Sequence, residues 1–250
     1  MYGVIIPNRF EDVIDPLVRS IYDKIPNKPP IVIIADGHER DYGFSKVVYD
    51  DKHFVFSRAI NLGLDALEGM DVILLNDDCV VLEWNFFDFL HRYAYSNDNI
   101  GLLSPMIVGA VGNPVQWWYA RERLWKTTDD FIEVKEPEPI CFPCVYIKRK
   151  ALDRAGRMNE HIAGYGFDDH DMCTRIRRSG FKTAVTQRLI IQHGDGSDAM
   201  ADGRGKSWAT SFMRRWEAGS APVSEIADYL KRYAEKNKEK FVHPMMKPQR

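Results

Sequence analysis

Val72-Ile73-Leu74-Leu75-Asn76-Asp77-Asp78 is four apolar residues followed at once by an amide and two carboxylates. A short, unbroken apolar run has the pattern of a strand buried on both faces, as in a parallel sheet. Upstream, Ser57 to Leu67 has helical spacing. Before it come Val47-Val48-Tyr49 and Ile31-Val32-Ile33-Ile34, the latter closing on Asp36-Gly37. Val13, Ile14, Leu17, Val18 and Ile21 predict a helix ended by the turn at Pro26 to Pro30, and Val4-Ile5-Ile6-Pro7 predicts the first strand. Strands alternating with helices predict a mostly parallel sheet covered by helices. In such open sheets ligands bind beyond the C-terminal strand ends. Pro7-Asn8-Arg9, Asp36-Gly37 and Asn76-Asp77-Asp78 are therefore expected to gather on one edge.

Downstream the pattern is less regular. Helices are expected over 84–95, 149–155 and 168–179, and strands at Leu102 to Met106, Cys144 to Ile147 and Thr183 to Ile191, the last ending near His193. Residues 111–138 form a polar, aromatic-rich stretch, and the chain reads as helical from Ser207 onward.

Composition narrows the classes. The chain has 250 residues, 45% of them hydrophobic, which fits either one large α/β domain or a catalytic domain with a small appendage and excludes general disorder. No run approaches the ~20 apolar residues of a membrane span. The N-terminus shows neither a basic flank nor a small-residue cleavage site, and four cysteines are few for a disulfide scaffold. A cytoplasmic protein is expected. With 34 Lys+Arg and 36 Asp+Glu the net charge is −2. Residues 204–250 hold 11 Lys+Arg against 5 Asp+Glu, a net of +6, leaving −8 on residues 1–203. Such a tail is either a solvated helix or a surface for an anionic partner.

Three clusters bear on chemistry. Asp77 and Asp78 repel one another unless a cation or donors compensate, and Mg²⁺ or Mn²⁺ favours one or two carboxylates plus ligand phosphates. An Asx turn or helix cap with both side chains in water fits the same residues. Asp168, Asp169 and Asp171 open a helix after Gly164-Tyr165-Gly166-Phe167. They complement its dipole, and a carboxylate there can also act as a general base. His193, before Gly194-Asp195-Gly196, suits a metal ligand, a phosphate donor or a plain structural role.

In this order the segments resemble family 2 glycosyltransferases of the GT-A fold, over residues 3–198. The matching pieces are Val4 to Asn8, Ile33 to Gly37, Ser57 to Gly63, Leu74 to Asp78, Ala151 to Glu160 (ALDRAGRMNE), and Gly166 to Asp171 with its Arg177-Arg178-Ser179-Gly180 ending. The resemblance implies a Rossmann-like GT-A domain over 1–203, with a nucleotide-sugar half at about 1–105 and an acceptor half at about 106–203. A basic helical extension, 204–250, follows.

It also implies roles. Pro7, Asn8 and Arg9 lie beside the nucleotide, Asp36 contacts its base, and Arg58 and Asn61 border it. Asn76, Asp77 and Asp78 stand where the family has its DXD motif, Asn76 replacing the first acid and Asp78 being the metal ligand, joined by His193. Asp169 matches the catalytic base and Asp168 the acceptor contact, although Asp replaces the family's Glu at 168. The implied cofactor is Mn²⁺ or Mg²⁺, the donor a nucleotide sugar of the UDP type, and the outcome inversion at the anomeric carbon.

For the acceptor the resemblance leaves open a glycan, a protein or a modified DNA base, and the basic extension opens a nucleic acid or anionic glycan. Trp117-Trp118-Tyr119 reads either as a stacking platform for acceptor or as core. Gly203-Arg204-Gly205-Lys206-Ser207 lacks the glycine of a phosphate-binding loop at Met200, yet Lys206 and Arg204 can close over a diphosphate. Cys141 and Cys144 have CxxC spacing without a second pair, and read as structural thiols. Two alternatives compete. A nucleotidyltransferase would want a glycine-rich basic loop near the N-terminus, which Pro7 to Glu11 does not offer. Retention of Asp78, Asp169 and His193 argues against a non-catalytic carbohydrate- or nucleic-acid-binding protein.

Overall fold

The computed structural model describes residues 1–9, 11, 13–37, 40–52, 54–109, 130–136, 138–162 and 167–193. Trp117, Trp118, Lys206 and the whole 204–250 extension lie outside the described residues, as do Gly164, Tyr165 and Gly166.

The apolar runs form strands and the periodic stretches form helices, in the order β1 (Tyr2–Asn8), α1 (Asp15–Lys24), β2 (Ile31–Asp36), β3 (Lys46–Asp50), α2 (Phe56–Ala66), β4 (Asp71–Leu75), β5 (Cys79–Val81), α3 (Phe86–Tyr95), β6 (Ile100–Gly109), β7 (Phe131–Val134), β8 (Cys144–Ile147), α4 (Arg149–Ala155), α5 (Asp168–Arg178) and β9 (Lys182–His193). One sheet runs β3-β2-β1-β4-β8-β6-β9-β5, with β7 also on β9. The parallel sheet expected from the first half is β3-β2-β1-β4. Beyond it the sheet is mixed. β8 enters antiparallel between β4 and β6, and β5 and β7 pair antiparallel with β9, while β6 and β9 are parallel.

The first strand continues through its proline instead of stopping there. Pro7 pairs with Ile34 of β2, and the β1–β4 register ends before it, at Ile5–Leu74, in keeping with a residue that donates no N–H to a ladder.

The sheet is buried on both faces. Val4 and Ile6 pack with Leu17 and Ile21 of α1 and Phe86 and Leu90 of α3; Ile5 and Leu74 pack with Ile60 of α2, Leu152 of α4 and Met172 of α5. Alternate residues of one strand thus serve two cores. Gly63 lets α2 approach β1: a Cβ there would meet Ile5 Cγ2 at 2.4 Å. Among the described residues, no helix is long and apolar enough to cross a membrane.

Candidate functional site

Because β3, β2, β1 and β4 are parallel, Asp50, Asp36, Asn8 and the 76–78 turn all lie at C-terminal strand ends. The two adjacent carboxylates of that turn divide their tasks. Asp77 Oδ2 accepts from Asn8 Nδ2 at 2.8 Å and from the Arg9 backbone N–H at 3.3 Å. Burial pushes the Asp77 carboxyl up to about 6; the Asn8 hydrogen bond opposes this and the Asp78 charge adds to it. Tyr42 donates to Asn8 Oδ1 at 3.4 Å. Asp77 is thereby turned into the protein.

Asp78 faces the other way. Its Oδ1 lies 3.3 Å from His193 Nε2, a pairing built by the β5–β9 register, which sets Cys79 opposite His193. That oxygen is buried and receives no hydrogen bond among the described residues. Two neighbouring ligands of an octahedral cation at about 2.1 Å are about 3 Å apart, so a carboxylate and an imidazole at this separation fit a divalent metal. No cluster of three or more His, Cys, Asp or Glu side chains suited to a metal occurs among the described residues, so water and phosphate oxygens would complete the shell.

Asp169 stands in the first turn of α5. Its Oδ1 accepts from the His170 backbone N–H at 2.8 Å and faces His170 Nδ1 at 3.0 Å. Burial acts to raise its pKa, but the His170 charge and the hydrogen bonds from His170 and Cys141 outweigh burial and hold the carboxyl below its ordinary range. Asp169 is therefore ionised at neutral pH. Asp168, by contrast, is 6% exposed and accepts from Ser57 Oγ at 2.8 Å, which ties α5 to the start of α2. Asp171 is engaged by Arg175.

The 140–144 segment joins the two halves of the site. Pro143 O accepts from the Asn76 backbone N–H at 2.8 Å and from Cys79 Sγ at 3.3 Å, while Cys141 donates to Asp169. Cys79, Cys141, Cys144 and Cys173 are all free thiols. The CxxC stretch is thus a structural bridge between the acidic turn and α5.

Several expected contacts take another form. Pro7 is buried within β1, and Asn8, fully buried, acts on the edge through Asp77. Asn61 is 4% exposed; its amide donates to Met158 O and Glu160 Oε1 and accepts from Met158 N–H. It holds the 157–160 loop against α2. Arg58 donates through Nε and Nη2 to Asp50 Oδ2, at 2.8 and 2.6 Å. Asp50 pairs in register with Asp36, and Arg58 offsets the Asp50 charge at the end of β3. Arg9 is exposed, with its guanidinium 5.9 Å from the Phe54 ring centroid. Sequence reasoning passed over Tyr42, Asp50 and His170, read Cys141 as a structural thiol, and took Ser57 only as the start of a matching segment; of the three passed over, the strand-end Asp50-Asp51 pair carried a signal.

No protein-family model matches the chain, and no curated protein matches it in sequence. Solved structures do. GalNAc-T7, solved with UDP, GalNAc and Mn²⁺, superposes with a TM-score of 0.61 at 16% identity over 95% of this chain and 54% of its own. The chain therefore spans about half the length of GalNAc-T7. The mannosyltransferase PcManGT from Pyrobaculum calidifontis, solved with GDP-Man and Mn²⁺, gives 0.57 at 15% identity over 95% of this chain and 80% of its own. At such identities the likeness concerns architecture, and the chain has the GT-A fold of these glycosyltransferases.

Proposed function

We propose that the protein is a metal-dependent glycosyltransferase that moves a sugar from a nucleotide-sugar donor to an acceptor hydroxyl. The Asp78–His193 pair carries this reading: a carboxylate and an imidazole 3.3 Å apart at the strand ends of a GT-A fold. Both structural neighbours were solved with Mn²⁺ and with a nucleotide or nucleotide sugar. We take Mn²⁺ or Mg²⁺ as the metal, and a UDP-sugar as donor from the sequence resemblance.

Asp169 is the base. It takes the proton of the acceptor hydroxyl as that oxygen bonds to the anomeric carbon, and the carbon–oxygen bond to the diphosphate breaks with its electron pair leaving on the diphosphate. A divalent cation on Asp78 and His193 supplies positive charge for that leaving group. Attack by the acceptor oxygen opposite the leaving group, with Asp169 as the one base, inverts the anomeric centre, in line with the family resemblance. Asp36 and Arg9 flank the donor's nucleoside. Residues 204–250, with their net charge of +6, serve an anionic acceptor, a nucleic acid or a glycan. Acceptor affinity that ignores salt would remove that assignment.

The decisive experiment screens nucleotide sugars for hydrolysis and transfer with Mn²⁺, in the wild type and in Asp169→Asn. Transfer is expected to fall by roughly 10²–10⁴-fold in the variant with nucleotide binding retained. Full activity in Asp169→Asn would sink the assignment.

A further inference from the structure

Asp169 is gripped by its own neighbour. Both nitrogen donors to its carboxylate come from His170, and both address the same oxygen, Oδ1. A carboxylate only accepts, so the imidazole Nδ1 carries the proton in this contact. The ring has little freedom to move away. It is 5% exposed, and the Phe167 ring lies against it, centroids 5.1 Å apart at 41°. Phe167 holds that place from a left-handed backbone, φ 71°, which is unfavourable for a bulky residue. Capping α5 does not explain such a residue there, since Phe167 contributes no side-chain cap. It does seat an aromatic ring on His170.

We propose that His170 is a positioning residue for Asp169: it fixes the carboxylate through Oδ1, so that the acceptor's proton is received at Oδ2. This rests on Asp169 being the base. Among the described residues, the other titratable or charged groups near Asp169 are Cys141 from the 140–144 segment and Asp168, Asp171, Cys173 and Arg175 from α5. Arg175 is committed to Asp171 and the Ala155 carbonyl, and Asp168 to Ser57. Cys141 adds a weaker thiol donor. His170 therefore supplies the directional contact. Without it, burial of Asp169 is less compensated, and the carboxylate can rotate as well as protonate more readily.

Two variants separate positioning from packing. His170→Phe keeps a ring against Phe167 but has no donor, whereas His170→Asn restores an N–H near the place of Nδ1. The first readout needs no substrate: a ¹³C titration of the Asp169 carboxyl in the full chain. Its midpoint is expected to rise in His170→Phe and to return toward the wild-type value in His170→Asn. The second is transfer from the nucleotide sugar found active. For His170→Phe, kcat is expected to fall roughly ten- to a hundredfold with donor KM unchanged, and the acid limb of the pH profile should move to higher pH.

An unmoved titration and an unmoved kcat in folded His170→Phe overturn the proposal while leaving the transferase reading intact. Wild-type protein that transfers no sugar defeats the transferase reading instead, and the titration alone then decides whether His170 holds Asp169. Circular dichroism on each variant certifies the fold.

Discussion

Asp78 Oδ1 and His193 Nε2 face each other at 3.3 Å although 115 residues separate them, because the short antiparallel pairing of β5 with β9 sets Cys79 against His193. The buried oxygen of Asp78 accepts no hydrogen bond among the described residues, an arrangement that costs stability unless a cation arrives. Replacing either partner by Ala should therefore weaken Mn²⁺-dependent nucleotide binding by at least roughly tenfold, while metal-free nucleotide binding changes little. Calorimetry with and without Mn²⁺ measures both. Equal losses in the two conditions would point to a donor-contact role and away from metal.

Asn61 provides a contrast, since its position in the Ser57 to Gly63 segment draws it toward the nucleotide while its contacts do not. Its carboxamide matches a peptide unit, accepting from Met158 N–H and donating to Met158 O. Asn61→Ala leaves two buried backbone groups without those partners, at roughly 1–3 kcal/mol each. Thermal denaturation should record a drop of several degrees. Nucleotide affinity measured well below the new midpoint should stay within about twofold of wild type; a large loss of affinity there would restore Asn61 to the binding site.

How far the sequence could be read follows from these two cases. Apolar runs ending in polar residues located β1, β2 and β4, because both faces of a central parallel strand must be apolar and its ligand-facing end must not. The Asp78–His193 pair was legible as two strand ends, since each carried its own local signal. Asn61, Arg58 and Asp168 carried the same kind of signal, but their partners, Met158, Asp50 and Ser57, are chosen by helix packing that no local pattern specifies. His170 was hidden differently. Between acidic residues on a helix start its ring could face anywhere, and only the backbone turn at Phe167 determines that it lies along Asp169.

Gly63 tests the packing of α2. In an exposed helix, Gly→Ala gains roughly 1 kcal/mol of helix propensity. Here the added methyl would sit 2.4 Å from Ile5 Cγ2 in the buried core beneath β1, and overpacking costs typically about 1–3 kcal/mol or more. The clash outweighs the propensity, so Gly63→Ala should lower the midpoint of urea unfolding. Because α2 also carries Ser57, which holds Asp168, a displaced helix should reduce transfer beyond the loss of stability. A more stable Gly63→Ala variant would mean that α2 stands farther from the sheet.

At the opposite end of the sheet from the site, Lys148 is fully buried, its Nζ donating to the Asn97 carbonyl at 2.9 Å and lying 4.7 Å from the Tyr95 ring centroid. Burial lowers its pKa to about 8, the neighbouring Lys150 adding to the effect and Asp98 and Asp71 opposing it. The sign follows from proton counting. Between about pH 8 and the unfolded value of 10.5 the unfolded chain binds more protons at this site than the folded one, so the contribution of Lys148 to folding stability rises with pH across that window. The buried thiols Cys79, Cys144 and Cys173 and the tyrosines Tyr95 and Tyr146, whose pKa values burial raises, contribute with the opposite sign, but they are common to the wild type and to a variant at 148. Urea unfolding at pH 7.0 and 9.5 should therefore show the stability of Lys148→Met falling behind that of the wild type on going to the higher pH, whatever its absolute stability. If the two proteins change in parallel between those pH values, Lys148 is charged in the folded state through the whole range, and its contacts with Asn97 and Tyr95 compensate its burial in full.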